Sequence, residues 1–284
     1  MFFVWKKNNK LRMMCDARRS NARFREPPGV HLATGDSISR LEIPAGHDMF
    51  IAHLDLADYF HGLRISDELS DYFALPPVLV GSVGARWCEA SPLAQHDIVY
   101  PCFKSLPMGF TWALWGAQRC HEQVLDDIGG TLRSDRRMRD GVKPPSLSDG
   151  CVHLVYVDNM VIFGTCQVTV DAELERARLA LAAVGFVPHE LEAAALQAEA
   201  LGVSIDGSGG TVELSPKRYW KLYRGMHAFV RRKKATGHEV RVVLGHLCFA
   251  FLLRRCCLSS LSALFRFAEE MVPRRGRPAL AIGH

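Results

Sequence analysis

The sequence feature that most constrains the fold is a pair of short apolar runs, residues 153–157 and 160–164, separated by two polar residues. The runs read His-Leu-Val-Tyr-Val and Met-Val-Ile-Phe-Gly, and Asp158 and Asn159 lie between them. Asp and Asn tolerate positive φ angles and favour tight turns. Two strand-like runs separated by such a pair predict an antiparallel β-hairpin. We therefore expect a buried hairpin with the side chains of Asp158 and Asn159 at its tip.

A second acidic residue lies near the end of another apolar run. Residues 49–56 are predicted to form a buried strand that contains Asp55. Carboxylates from neighbouring strands can bind a hard cation such as Mg²⁺. Two such ions about 3.5–4 Å apart can activate an attacking oxygen and stabilise a leaving one. The sequence thus predicts a metal site formed by Asp55 and Asp158; the alternative is that Asp55 caps a turn and Asp158 only makes one.

The remaining pattern predicts a mixed α and β chain with a domain boundary near Ser215. A helix is expected from Thr111, as N-cap, to Ile128, where two glycines stop it. The other expected elements are N-terminal strands over 4–5 and 10–15, strands within 76–103, a loop over 129–150, a helix over 170–184, strands over 196–205 and 210–214, and helices from 215 onward with breaks near Gly237 and Ser259.

The formal net charge of +5 hides a strong segregation of charge along the chain. Residues 1–26 contain eight basic and two acidic side chains, residues 27–214 contain twelve and twenty-five, and residues 215–284 contain fifteen and three. Basic segments on both sides of a carboxylate-rich centre indicate binding to a polyanion.

The composition excludes several classes of protein. A chain with 48% hydrophobic and 23% charged residues has globular rather than disordered composition. It shows no uninterrupted apolar run near the roughly 20 residues of a membrane span, and its N-terminus does not resemble a secretory signal. We therefore expect an intracellular protein, in cytoplasm or nucleus, without a membrane partner. The nine cysteines include no Cys-x-x-Cys pair and are expected to be reduced thiols.

Five segments, taken in order, resemble the reverse transcriptases of retrotransposon-type elements over roughly residues 3–270. Their order and spacing together are specific, although each segment alone is weak evidence. The segments are residues 6–21, similar to the fingers hairpin; Leu54–His61, similar to the first palm motif; Leu106–Phe110 with Trp112 and Ala113 behind it, similar to the Leu-Pro-x-Gly motif; Tyr156–Asn159, similar to the Tyr-x-Asp-Asp box; and Ala200–Val203, similar to the Phe-Leu-Gly segment near the primer grip.

The resemblance implies an α+β right-hand polymerase with fingers, a palm with an antiparallel sheet, and a helical thumb. The expected boundaries are fingers at 1–49 and 76–105, palm at 50–75 and 106–214, thumb at 215–270, and a basic tail at 271–284. The implied activity is RNA-directed DNA synthesis with two Mg²⁺ (or Mn²⁺) ions. The implied partners are an RNA template, a DNA primer, deoxynucleoside triphosphates and other domains of a longer polyprotein.

The resemblance also implies roles for individual residues. Asp55 and Asp158 would bind the metal ions and form the catalytic set together with Asn159. Phe60 lies where the family places an aromatic ring under the sugar, and a ring there would clash with a 2′-hydroxyl. The alternatives are core packing for Phe60, a solvated basic hairpin near the N-terminus, and a simple turn before the helix. The other implied nucleotide contacts are Lys6, Arg12, Met108 and Gly109.

Two positions depart from the family pattern. Asn159 replaces the usual second aspartate, and its amide oxygen can contact a metal or water without charge. The family's downstream lysine, a candidate acid for the pyrophosphate leaving group, has no clear match. We expect His189 to replace it, because histidine titrates near neutral pH.

The basic C-terminal third resembles the thumb, which holds the primer–template duplex. Basic side chains neutralise phosphates, and backbone contacts suit an enzyme that copies any sequence. The alternative is a solvated helical face, and the interleaved aromatic residues from Tyr219 to Phe229 are expected to form a buried stripe. The implied nucleic-acid contacts are Lys217, Arg218, Lys221, Arg224, Arg231, Arg232, Lys233 and Lys234.

Two other functions stay open at this point. Asn159 is compatible with a catalytically decayed, nucleic-acid-binding relic of a reverse transcriptase. A DNA-templated polymerase of similar architecture fits less well, because the Leu-Pro-x-Gly and Tyr-x-Asp segments resemble reverse transcriptases.

Overall fold

The computed structural model describes residues 2–5, 9, 11–83, 93–232 and 235–270. In this part of the chain the strands pair antiparallel and helices cover the central sheet. The strands are β1 (Phe2–Trp5), β2 (Leu11–Met14), β3 (Phe50–Leu56), β4 (Val78–Leu79), β5 (Ile98–Val99), β6 (Val152–Tyr156), β7 (Asn159–Gly164), β8 (Pro188–Ala195), β9 (Gln197–Ala200), β10 (Val203–Asp206) and β11 (Thr211–Leu214). The α-helices are α1 (Arg18–Asn21), α2 (Gly35–Ser39), α3 (Tyr59–Gly62), α4 (Asp67–Ser70), α5 (Ala113–Ile128), α6 (Gln167–Ala183), α7 (Pro216–Arg231), α8 (Gly237–Phe251) and α9 (Ser262–Glu270).

The centre of the fold is a four-stranded sheet with the order β6-β7-β3-β8. Strand β3 is nearly continuously apolar because both faces of the sheet are covered. One face packs on α5 and α6 through a cluster that includes Leu54, Met160 and Leu125. The other face packs on the β9–β11 sheet through a cluster that includes Ile51, Phe163 and Ile205. The sheet is therefore rigid, and it fixes whatever side chains lie at its open end.

The predicted hairpin is confirmed, but its tip lies one residue earlier than expected. Strands β6 and β7 pair from Tyr156↔Asn159 to Val152↔Phe163, so the two turn residues are Val157 and Asp158. Asn159 instead begins β7 and pairs with Asp55 of β3. The expectation that Asn159 lies at the tip was wrong, because pairing with a distant strand draws this residue into the sheet.

Several predicted elements are confirmed with shifted ends. The helix expected from Thr111 begins at Ala113 without a side-chain cap, and it ends at Ile128 as predicted, with Gly129 as its C-cap. The strand expected over 196–205 is a hairpin, β9 and β10, whose turn residues Leu201 and Gly202 both have positive φ. Of the strands expected within 76–103, the described residues form only β4 and β5, and residues 84–92 lie outside the description.

The helical C-terminal region forms a separate apolar cluster from α8, α9 and the 3-10 segment Leu252–Leu261, and α7 packs against it. Among the described helices, one stretch, Gly237–Glu270, is long and apolar enough to cross a membrane by length and composition. Its backbone is not one continuous α-helix, because Arg254 has non-helical angles (φ −142°, ψ 79°). Arg255 also pairs with Asp140 at 2.6 Å. We interpret the stretch as a kinked helical unit held against the rest of the chain.

Candidate active site

A row of polar side chains crosses the open end of the central sheet. Asp55 of β3 pairs with Asn159 of β7 on one side and with Glu190 of β8 on the other. Residues directly opposite each other on neighbouring strands point to the same face of a sheet. The backbone N–H of Leu56 also donates to the carbonyl oxygen of Asp158 at 3.1 Å. The structure therefore brings together the three residues predicted as the catalytic set and adds Glu190.

Asp55 is a partly buried carboxylate close to two other acidic residues. Its Oδ1 atom is buried and has no hydrogen-bond partner among the described residues. Burial raises the pKa of Asp55, and the nearby charges of Asp158 and Glu190 raise it further. A cation bound beside these carboxylates would offset both the desolvation and the charge repulsion that disfavour ionised Asp55, so the donor set fits a divalent metal ion.

The metal ligands predicted from the sequence are two, Asp55 and Asp158. Across the described ranges, no group of three or more His, Cys, Asp or Glu side chains could hold a metal ion. A site with two carboxylates, Asp55 and Asp158, leaves the remaining positions to water and substrate oxygens. Mg²⁺ is usually bound in this way, by one or two carboxylates together with phosphates.

The side-chain amide of Asn159 contacts His53 through its oxygen and Asp158 through its nitrogen. Its Oδ1 is 2.8 Å from Nε2 of His53, which donates when that nitrogen is protonated. Its Nδ2 donates to Oδ1 of Asp158 at 3.2 Å. One side of the amide oxygen therefore faces His53, and contact of this oxygen with a metal or water stays a prediction. Asn159 therefore orients Asp158, and His53 orients Asn159.

The turn that carries Asp158 is strained. Val157 has φ 60°, a left-handed conformation that costs a β-branched residue free energy. Helix α5 holds this turn through two buried side chains. Gln118 accepts from the N–H of Val157 at 2.8 Å and donates to the carbonyl of Val155 at 3.0 Å, and Nδ1 of His121 lies 2.8 Å from the carbonyl oxygen of Val157. The turn keeps its strained backbone conformation because these contacts from α5 hold it in place.

A buried polar network supports the two side chains of α5. Gln118 also donates to Glu122 at 2.9 Å, and the nearly fully buried Arg137 donates to Asp126 at 2.6 Å. Burial lowers the pKa of His121 to about 4, so this imidazole is neutral at pH 7 and can present one N–H to the turn. These supports were missed in the sequence. The available signal was the spacing of Gln118, His121 and Glu122, which places three polar residues on the inward face of an amphipathic helix.

A second junction joins the N-terminal segment to the turn before α5. Gly109 has φ 119°, and a Cβ atom there would collide with the carbonyl oxygen of Cys15. Asn21 clamps the same turn, because its Nδ2 donates to the carbonyl of Gly109 at 2.9 Å and its Oδ1 accepts from the N–H of Thr111 at 3.1 Å. Strand β2, which ends at Met14, therefore lies beside the predicted nucleotide contacts Met108 and Gly109.

The other predicted nucleotide contacts are placed only in part. Phe60 is the second residue of α3 and is half-buried. Its ring packs edge-on against the ring of Tyr59, with the two centroids 6.3 Å apart. This position is compatible with both core packing and a sugar contact. Arg12 lies in β2, but its side chain is outside the described part of the structure, as is all of Lys6. His189 is exposed on β8, with Nε2 4.0 Å from Oε1 of Glu190.

The predicted nucleic-acid contacts concentrate on α7. Lys217, Lys221, Arg224 and Arg231 are exposed there at spacings that place them on one arc of the helix. Arg218 is directed elsewhere, since its guanidinium lies 4.1 Å from the ring centroid of Phe249. Three further predicted contacts follow the helix. Arg232 pairs with Glu239 at 2.7 Å, and Lys233 and Lys234 are outside the described residues.

No protein-family model and no curated protein matches this chain. Among solved structures, the chain is similar to a foamy viral protease-reverse transcriptase in complex with double-stranded DNA, with a TM-score of 0.60 and 18% identity. The match covers 95% of this chain and 42% of that one. A foamy viral protease-reverse transcriptase in complex with an RNA/DNA hybrid gives a TM-score of 0.54, 17% identity, and coverage of 95% and 32%.

The chain thus spans less than half the length of these two proteins. At such low identity the similarity concerns the fold, and it agrees with the antiparallel sheets and covering helices described above. The predicted fold class is confirmed: this is an α+β chain with antiparallel sheets, similar in fold to the polymerase domain of a reverse transcriptase.

Proposed function

We propose that this chain is an RNA-directed DNA polymerase, the polymerase module of a retroelement product. The observation that carries the proposal is the meeting of Asp55 and Asp158 at the end of one antiparallel sheet, in a fold similar to that of a reverse transcriptase. The buried, unpartnered oxygen of Asp55 supports a cation at this point. Nucleic acid as ligand is supported by the neighbours, whose structures are complexes with DNA and with an RNA/DNA hybrid.

In the proposed mechanism, Asp55 and Asp158 would hold two Mg²⁺ or Mn²⁺ ions. When bound, these ions would neutralise phosphate charge and lower the pKa of the primer 3′-hydroxyl. Asn159 and His53 hold Asp158 in one orientation through the two amide hydrogen bonds. The strained turn and its buried supports fix the backbone of Asp158. Catalysis of this kind depends mainly on positioning and on stabilising charge.

The remaining residues of the proposed site bind and select the substrates. Phe60 lies under the sugar and excludes a 2′-hydroxyl, and the turn at Met108 and Gly109 lines the nucleotide pocket. Lys6 and Arg12 contact the triphosphate, since Arg can hold two phosphate oxygens at once. His189 donates a proton to the leaving pyrophosphate; an unchanged pH–rate profile in His189→Ala would remove this role. The proposed division is fingers at 1–49 and 76–105, palm at 50–75 and 106–214, and thumb at 215–270.

A second function is favoured by one observation, the absence of a second carboxylate at position 159. A neutral amide gives the site less attraction for cations than an aspartate would. On this account the chain is a relic that still binds nucleic acid but no longer polymerises.

Primer extension separates the two functions and the DNA-templated alternative. The substrates are oligo(dT) on poly(rA) and on poly(dA), offered separately and in competition. We expect the native chain to extend the primer with Mg²⁺ and to prefer the RNA template. No extension by the native chain, with recovery in Asn159→Asp, would establish the relic, and a preference for poly(dA) would establish a DNA-templated polymerase.

A further inference from the structure

Helix α7 exposes a set of aromatic side chains that sequence patterns predicted to be buried. Tyr219, Trp220 and Tyr223 are 50%, 52% and 53% exposed. The rings of Tyr219 and Tyr223 are nearly parallel, with centroids 6.3 Å apart and an interplanar angle of 14°. His227 continues this series at 6.2 Å and 16°, and Trp220 stands edge-on to Tyr219 at 5.3 Å. The expected buried stripe was wrong for these residues, and the helix presents a ladder of rings to solvent.

The exposed rings do not lie on the face of α7 that packs against the rest of the chain. The inward face of α7 consists of Leu222, Met226 and Phe229, which already pack against the C-terminal apolar cluster. The rings lie on the neighbouring arc, along an open groove of about 810 Å³ that is also lined by Leu222, Met226, Leu247 and Phe251. One acidic residue, Glu213, lies on the groove wall.

The arc next to the rings is strongly basic. Lys217, Lys221, Arg224 and Arg231 follow one another at helical spacing, and α7 contains no acidic residue. Trp220 is four residues before Arg224, so the aromatic arc and the basic arc adjoin. A partner that satisfies both arcs must carry regularly spaced negative charge together with planar apolar groups.

We propose that the Tyr219–His227 ring ladder and the adjoining basic arc of α7 form a binding site for single-stranded nucleic acid, in which unpaired bases stack on the exposed rings while phosphates contact the lysines and arginines. Sequence-tolerant single-strand sites combine these two elements, a basic track and aromatic platforms. A membrane surface also attracts basic aromatic helices, but such helices insert an apolar face. In α7 the aliphatic residues Leu222, Met226 and Phe229 pack against the C-terminal cluster, and the exposed rings adjoin four cations instead of an extended aliphatic face.

The proposal rests on the proposed function and specifies the nucleic-acid role of the same helix. Its test compares two oligonucleotides that carry the same phosphate charge, one with bases and one without. Fluorescence anisotropy compares a labelled twelve-residue oligo(dT) with an abasic oligonucleotide of the same length, bound to the native full chain. We expect oligo(dT) to bind at least about tenfold more tightly, since one stacked base contributes about that factor. Equal affinity for the two oligonucleotides would overturn the proposal even if both bind well.

Variants assign the preference to the rings. Trp220→Ala and Tyr223→Ala should each lower oligo(dT) affinity about tenfold and leave abasic affinity unchanged. Tyr100→Ala is the matched control, because Tyr100 is 63% exposed and lies outside α7. Lys221→Ala should weaken both ligands equally and reduce the salt slope by about 0.7. If Tyr100→Ala has the same effect as Trp220→Ala, the ladder is not the site.

Three further outcomes distinguish this proposal from its neighbours. A loss of duplex affinity in Trp220→Ala, measured with oligo(dA)·oligo(dT), with oligo(dT) affinity unchanged would show that α7 binds the duplex only. Binding of the native chain to phosphatidylserine vesicles that is lost in Trp220→Ala, with oligo(dT) affinity unchanged in that variant, would identify a membrane surface instead. No binding of any oligonucleotide would count against the proposed polymerase function as well as against this site.

Discussion

Replacing Gln118 by leucine removes the main support of the strained turn that carries Asp158. Leucine is close to glutamine in volume, so the change removes hydrogen bonds and adds little cavity or overpacking. It leaves the N–H of Val157 and the carbonyl of Val155 without the partners that now lie at 2.8 and 3.0 Å. Both groups are in a buried part of the molecule, since Val155 and Val157 are 2% and 7% exposed.

The expected loss of stability follows from the two backbone groups that become unpaired. A buried backbone group left unpaired costs about 1–3 kcal/mol. Burial of the new apolar side chain offsets part of that cost. We therefore expect the free energy of unfolding to fall by about 2–4 kcal/mol. A displaced Asp158 should also slow the proposed polymerase reaction, by about 10²-fold for a shift of 1 Å.

Urea denaturation of Gln118→Leu and Gln123→Leu measures this effect with a control on the same helix. Gln123 is exposed, and its side chain donates to Asp127 on the outer face of α5. Its replacement should change the free energy of unfolding by no more than about 0.5 kcal/mol. Amide exchange at Val157 should accelerate in Gln118→Leu alone. If the two variants unfold at the same urea concentration, the hydrogen bonds to the turn do not support it and the reasoning is wrong.

Three other predictions concern single residues of the site. Gly109→Ala should lower the free energy of unfolding by about 1–3 kcal/mol from the backbone angle alone, whereas Gly29→Ala, which meets no neighbour within 4 Å, should be nearly neutral in the same urea experiment. Phe60→Ala should raise incorporation of UTP relative to dTTP by at least about tenfold, and an unchanged ratio would place Phe60 in the core only. Asp55→Asn should raise stability at pH 7 without divalent ions, because the pKa of Asp55 is raised in the folded chain and its charged form is disfavoured there. That gain should vanish below about pH 4, where the carboxyl is protonated in both states, and added MgCl₂ should stabilise the native chain but not the variant.

The central strands and the positions of Asp55 and Asp158 at their ends could be predicted from sequence because the signals are local. Apolar runs of strand length identify β3, β6 and β7, and an acidic residue at the end of such a run lies on rigid backbone. The exact turn could not be predicted. Asn159 leaves the tip because it contacts His53 and pairs with Asp55, residues more than a hundred positions away.

Two other features depend on tertiary packing in the same way. Strand β8 reads Pro-His-Glu-Leu-Glu-Ala-Ala-Ala, a composition depleted in strands, and it forms because β3 offers an edge for pairing. The rings of α7 alternate with cations in a pattern that also suits a buried stripe. They remain outside because aliphatic residues of α7, α8 and α9 already fill the neighbouring cluster.

The central claim is that Asp55 and Asp158 form a metal-dependent centre for nucleotide addition. Its most direct test is the single-turnover rate of dTTP addition to oligo(dT) on poly(rA), measured against Mg²⁺ concentration for the native chain, Asp55→Asn and Glu192→Gln. Glu192 is the matched control, since it is an exposed acid on β8 that pairs with His53. We predict saturable, Mg²⁺-dependent addition by the native chain and by Glu192→Gln, and a loss of at least about 10³-fold in Asp55→Asn. Equal rates in the native chain and Asp55→Asn, or addition that does not depend on the metal ion, would contradict the account.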